Sequence, residues 1–194
     1  MQFFHLSTFG NPNDPDQCFL GNSPEGMGLR MYRMGLGVRA APDFPDPARI
    51  FLREQEPGIR LTSLLGNSNS YLIVSSSLNE VIVRHSEGLD IEYLPFDLHD
   101  HRKRLFSQDY LIVNPIGGFD CLDEDACDIL RGRDGKVLRI QRYALHPAKI
   151  ARAPSLFRID KALTEYVVDE RLAGAIKASR FTNVILTPLA IATR

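Results

Sequence analysis

The chain states one pattern twice, and that repetition restricts the folds open to it. Leu72-Ile73-Val74-Ser75-Ser76-Ser77-Leu78 runs from apolar residues through a polar step to a leucine, with Val81 and Ile82 following at helical spacing. Tyr166-Val167-Val168-Asp169-Glu170-Arg171-Leu172 does the same, with Ala175 and Ile176 after it. Each copy closes on a second apolar run ending in proline, Ile91-Glu92-Tyr93-Leu94-Pro95 and Val184-Ile185-Leu186-Thr187-Pro188. A short apolar run bounded by polar residues reads as a buried strand, and the i, i+3, i+4 pattern reads as one helix face. Two strand–helix–strand units are too few for a solenoid, which needs at least three stacked repeats. They predict a duplicated module, over 71–98 and 165–190, inside one compact domain.

Local signals fill in the rest. Leu78, Val81, Ile82 and His85 predict a helix over 76–85, capped by Ser75 or Ser76. In the second unit Asp169 takes the capping position, and Glu170 suits the positive end of the helix dipole. Ile50–Leu52, Tyr110–Val113 and Leu156–Ile159 read as strands. Asp134-Gly135 is a hairpin signal that joins Cys127–Leu130 to Val137–Leu145. The sum is an α+β chain, a mixed sheet with few short helices. Residues 1–45 read as an irregular arm, because Asn11-Pro12-Asn13-Asp14-Pro15-Asp16 and Gly21-Asn22-Ser23-Pro24-Glu25-Gly26 are turn chemistry. Within it, Leu29–Met34 reads as a short strand. The α+β domain proper is expected over 46–194.

Composition excludes some functions. A formal net charge of −1 gives no basic face for nucleic acid. No window approaches the roughly twenty apolar residues of a membrane span. Met1-Gln2-Phe3-Phe4-His5-Leu6 lacks the basic start and small-residue cleavage site of a secretory signal, so a cytoplasmic protein is expected. The three cysteines, Cys18, Cys121 and Cys127, are odd in number and widely spaced, as for reduced thiols.

The search for catalytic chemistry is sparse. Asp97, His99 and His101 form the one pattern that suits a metal-dependent hydrolase, if a strand aligned the imidazoles. The adjacent Arg102-Lys103-Arg104 would repel a divalent ion, so a polar surface loop is the stronger reading. Ser75-Ser76-Ser77 has no Gly-x-Ser-x-Gly elbow and sits where a helix needs a cap. Gly35-Leu36-Gly37 lacks the third glycine of a dinucleotide fingerprint. No cofactor or metal site is expected. The densest charge feature is Asp120, Asp123, Glu124, Asp125 and Asp128. It is either a solvated capping turn or an acidic patch for a basic partner, since such patches steer association and set specificity. Asp120, beside Gly117-Gly118, is assigned to the turn. Asp123, Glu124, Asp125 and Asp128 are the expected contact set.

Five segments, taken in order, resemble the immunity proteins numbered family eleven of bacterial polymorphic toxin systems. They are Tyr71-Leu-Ile-Val-Ser-Ser-Ser-Leu78; Ile91-Glu-Tyr-Leu-Pro95; Tyr110-Leu-Ile-Val-Asn114 with Phe119-Asp-Cys-Leu-Asp123; Asp134-Gly-Lys-Val-Leu-Arg-Ile140; and Leu156-Phe-Arg-Ile159 ahead of Val167-Val-Asp-Glu-Arg-Leu172. They span about Leu61 to Leu189. The resemblance implies a small cytoplasmic protein, made beside a toxin, that neutralises it by binding and carries no catalytic motif. Its partner is then the cognate protein toxin, with no nucleic acid or membrane involved. The readings that compete with it are the hydrolase of Asp97, His99 and His101, and a homo-oligomeric structural protein whose sheets pair at their edges.

Overall fold

A computed structural model describes residues 1–193. In chain order the strands are β1 (Phe3–Leu6), β2 (Phe19–Leu20), β3 (Arg49–Phe51), β4 (Gly66–Asn67), β5 (Leu72–Ser75), β6 (Ile91–His99), β7 (Leu105–Pro115), β8 (Asp128–Arg131), β9 (Val137–Arg142), β10 (Ala144–Leu145), β11 (Leu156–Ile159), β12 (Ala162–Asp169), β13 (Leu186–Pro188) and β14 (Ala190–Ile191). The helices are α1 (Tyr32–Gly35), preceded by a 3-10 turn over Gly28–Met31, then α2 (Ser76–His85), α3 (Pro147–Ile150) and α4 (Glu170–Ala178).

The chain is α+β, but the expected mixed sheet is divided. One four-stranded sheet runs β3-β6-β7-β5 and another β11-β12-β1-β13, with two-stranded ribbons beside them. The first is mixed, through the parallel β3–β6 pair; the second is wholly antiparallel. The repeated sequence units fall one in each sheet but not at matching positions: β5 is an edge strand and β6 interior, whereas β12 is interior and β13 an edge. In the first, β5 and β6 flank β7 and pair antiparallel with it. In the second, β12 and β13 flank β1 in the same way.

The helices form where the pattern predicts. Ser75 caps α2 by accepting from the Leu78 amide, and Asp169 caps α4 by accepting from the Leu172 amide at 2.8 Å. Leu78 and Leu172 are both buried, in one core cluster with Ile82, Ile176, Val74, Val113 and Val168. The two helices pack on each other across it. None of the helices among the described residues is long and apolar enough to cross a membrane.

Residues 1–45 are only partly irregular. Phe3–Leu6 is the strand inserted between β12 and β13, with Phe3 and Leu6 buried. Two strands running the same way across a helix leave a gap between them. An antiparallel segment from elsewhere in the chain fills it and satisfies both backbones. Leu29–Met34 is helical rather than extended. Met27, Met31 and Met34 recur at helical spacing and pack into the core formed with Tyr71, Ile73 and Phe96. The expected hairpin at Asp134-Gly135 is present as β8–β9, though β9 ends at Arg142 and β10 pairs separately with β14.

The largest fully buried side chain is Arg158, on β11, with no exposed surface. Its Nε donates to the Pro115 carbonyl at 3.0 Å. Nη1 donates to the carbonyls of Gly35 at 2.9 Å and Leu163 at 2.6 Å. Nη2 donates to the Met34 carbonyl at 2.6 Å, to Asn114 Oδ1 at 3.1 Å, and to the Tyr166 hydroxyl. The guanidinium also lies 4.1 Å from the Tyr166 ring centroid. Asn114 passes the interaction on: its Nδ2 donates to Glu92 at 3.0 Å. The buried Glu92 carboxylate further accepts the Ala40 and Ala41 amides at 2.9 and 3.1 Å. Burial lowers the pKa of Arg158, an effect partly opposed by Tyr166. The cation is retained because every N–H finds an acceptor and an anion lies one amide away.

Candidate functional site

The acidic run forms a turn that feeds the β8–β9 hairpin. Its five carboxylates separate into distinct environments. Asp123 is half-buried; its Oδ1 accepts the Ala126 amide at 3.3 Å, and its carbonyl accepts the Cys127 amide at 3.0 Å. It therefore stiffens the turn by an Asx-type bond. Glu124 is bound on both sides by Arg131 and Lys161. Those hydrogen bonds, Lys161 first, hold its pKa below the ordinary glutamate range. Asp120, assigned to the turn, is exposed and meets Lys149 Nζ at 2.8 Å. Asp125 and Asp128 are exposed, and among the described residues neither has an ion-pair partner.

The surroundings are not uniformly acidic. Asp128 stands opposite Arg142 across the ladder, and Leu130 opposite Arg139. Lys161 reaches the turn from the loop before β12. The sequence places these cations far from the acids; the hairpin brings them alongside. The surface is a mixed one in which two carboxylates are free. Asp128 and Leu130 lie two apart on β8, so both project from its exposed side while Ile129 faces inward. The hairpin thus offers a carboxylate next to an exposed leucine.

The histidine pattern is pulled apart. His99 ends β6, where Nδ1 lies 3.3 Å from the Lys103 carbonyl and the ring stacks 4.9 Å from Phe51. His101 Nε2 lies 3.2 Å from the Glu56 carbonyl. Asp97 accepts from Gln108 Nε2 at 2.8 Å. Among the described residues no group of three or more His, Cys, Asp or Glu side chains gathers as a metal would require. Ser75 is engaged as a cap, and Ser76 Oγ donates to the Asp109 carbonyl at 3.2 Å. Burial pushes the Cys18 and Cys121 thiols up to about 12, and raises Cys127 as well.

Glu92, Asn114, Arg158 and Tyr166 were not singled out by sequence reasoning as partners of one another. The signal was present but weak. Glu92, Asn114 and Arg158 are polar residues within apolar strand runs, where a buried polar side chain demands a partner.

A comparison with curated proteins finds no match. The family model described as immunity protein family (Imm11) matches residues 15–190 of the 194. That span includes both helix-capping steps, the acidic turn, the hairpin and all four members of the buried polar network, and by it the chain belongs to the Imm11 immunity protein family.

Proposed function

We propose that this protein acts in the cytoplasm of the producing cell by binding a cognate protein toxin and blocking it, by contact rather than catalysis. Family membership supports the toxin partner. In this reading the contact is the turn that leads into β8 together with the first residue of that strand, the set Asp123, Glu124, Asp125 and Asp128. Asp125 and Asp128 make its first contacts. The observation that carries this is their state: exposed, and without an ion-pair partner among the described residues. A carboxylate unpaired in the free protein is available to a basic surface on a partner. Asp123 and Glu124 shape and tether the turn. A toxin that acts on nucleic acid or another anionic substrate has a basic cleft, and carboxylates there occupy the substrate's place.

The test is kinetic. The partner is the protein encoded by the neighbouring gene, and the variant is Asp125→Lys/Asp128→Lys. Association at low salt should slow at least several-fold, with the difference shrinking as ionic strength rises. Equal association rates at low salt, in a variant with unchanged melting temperature, would remove this turn from the interface.

A further inference from the structure

The segment over residues 28–38, helical over Gly28–Met31 and Tyr32–Gly35, is apolar on two sides. Inward, Met27 and Met34 are fully buried, and Met31 packs against the same cluster. Outward, Leu29 is 86% exposed, Tyr32 60%, Leu36 43% and Val38 47%. Leu29 lies in the 3-10 turn, Tyr32 three residues on begins α1, and Leu36 caps it, so the three exposed side chains follow one another along the segment as a ridge. A helix apolar all round is ordinarily buried, and an exposed apolar patch with a polar rim marks an interaction site.

The rim is arginine. Arg30 and Arg33 both reach Asp43, at 2.6 and 2.5 Å, so two cations share one carboxylate. Arg39 meets Asp90 at 2.6 Å. The rim therefore keeps a positive excess. The ridge is also held rigidly from beneath. Arg158 donates to the carbonyls of Met34 and Gly35, and the Tyr71 hydroxyl donates to that of Met31 at 2.8 Å. Gly37 turns the chain with a φ of +64°, where a Cβ would press on Arg158 Cδ and on two carbonyls. Preorganisation of this kind lowers the entropy cost of binding.

We infer that Leu29, Tyr32 and Leu36 form a second contact surface for the toxin, inserted into an apolar cleft bordered by carboxylates. This rests on the toxin-binding reading above. Tyrosine with flanking arginine is the chemistry of interface hot spots. A second copy of this chain fits less well. In a two-fold contact the same patch faces itself, which would set the arginine rims against each other. The Gly37 carbonyl accepts the Gly117 amide at 2.8 Å, which ties the end of the ridge to the segment that leads into Asp120.

The experiment uses the full chain and the protein encoded by the neighbouring gene. Growth of cells producing that protein is followed with wild type, with Leu29→Ala/Tyr32→Ala, and with Leu29→Glu. Affinities are measured by calorimetry, and the mass of the free chain by sedimentation. Wild type should relieve growth inhibition. The double variant should keep the wild-type melting temperature and bind on the order of 100-fold more weakly, since each truncated anchor typically costs tenfold or more. Leu29→Glu should weaken binding further, by bringing an acid to carboxylates. Wild-type-like affinity in both folded variants overturns the inference while leaving the toxin-binding reading intact. A wild-type dimer that the double variant dissolves, with toxin affinity unchanged, overturns it in favour of a second copy. No relief of growth by wild type overturns the toxin-binding reading itself.

Discussion

Arg158→Met is the sharpest test of how this fold is held. Methionine keeps much of the stem and volume but removes all five N–H donors. The change removes the Arg158 donors from four backbone carbonyls, those of Pro115, Gly35, Leu163 and Met34, and from Asn114 Oδ1, while the Tyr166 hydroxyl keeps its bond to the Ser70 carbonyl. One buried unsatisfied group costs about 1–3 kcal/mol, but neighbouring losses relax together and do not add. Removing one member of a buried charged network costs roughly 3–5 kcal/mol. That range is the expected loss, set against a total stability of about 5–15 kcal/mol. At about 2–4 °C per kcal/mol for a chain of this size, the melting temperature should fall by roughly 6–20 °C. A second arm isolates the electrostatics. Glu92 and Arg158 are bridged by Asn114. Two hydrogen bonds in series put the charges on the order of 7 Å apart, a separation worth roughly 2 kcal/mol at an effective dielectric of 20. Urea unfolding of Arg158→Met, Glu92→Gln and the double variant should therefore give a double loss smaller than the sum by about 1–2 kcal/mol. A single-variant loss below about 1 kcal/mol, or strictly additive losses, would refute the view that a linked charge network ties the 28–41 segment to both sheets.

Other consequences follow from the same geometry. Leu78→Ala and Leu172→Ala should each cost about 2–5 kcal/mol in urea unfolding, because both leucines are fully buried in one cluster. Asp169→Ala, which removes the cap of α4 at a buried position, should cost about 1 kcal/mol, and Ser75→Ala a similar amount. Glu124 has a depressed folded-state pKa, so its contribution is present above the unfolded value near 4.5 and is lost as pH falls through the folded one. Wild type should lose stability more steeply than Glu124→Gln on acidification below that value. Cys18 and Cys121, with thiols pushed up to about 12, should resist a thiol reagent at pH 8 in the folded protein, and the half-buried Cys127 should react first.

Periodicity carried much of the fold in this sequence and little of the surface. The helices at Ser76–His85 and Glu170–Ala178 could be read because cap, apolar spacing and preceding strand all agree. The strand at Phe3–Leu6 could not. Four residues give no period, and its partners lie beyond residue 160. The segment over 28–38 misled because its outward apolar residues mask its helical pattern: both faces are hydrophobic, so the contrast that reveals an amphipathic helix is absent. The acidic run was visible, but its counter-charges arrive through hairpin pairing and from Lys161, which sequence proximity does not show.

The buried polar network joins three of the separate segments that carry the family resemblance. Ile91–Pro95 contributes Glu92, Tyr110–Asn114 contributes Asn114, and Leu156–Ile159 contributes Arg158. Each is a polar residue in an apolar strand, and each is costly there alone. Together they are satisfied, and their remaining bonds go to backbone at Met34, Gly35, Ala40 and Ala41. Apolar packing would bury the same surface, but it would not fix which carbonyls of an irregular segment face inward. Directional donors do. The network therefore holds residues 28–41 in one orientation on the two sheets, and that orientation turns Leu29, Tyr32 and Leu36 outward. A loss of the network should disturb the ridge before the turn at Asp123–Asp128, whose hydrogen bonds are with Ala126, Cys127, Ala144, Arg131 and Lys161 and involve none of the network's members.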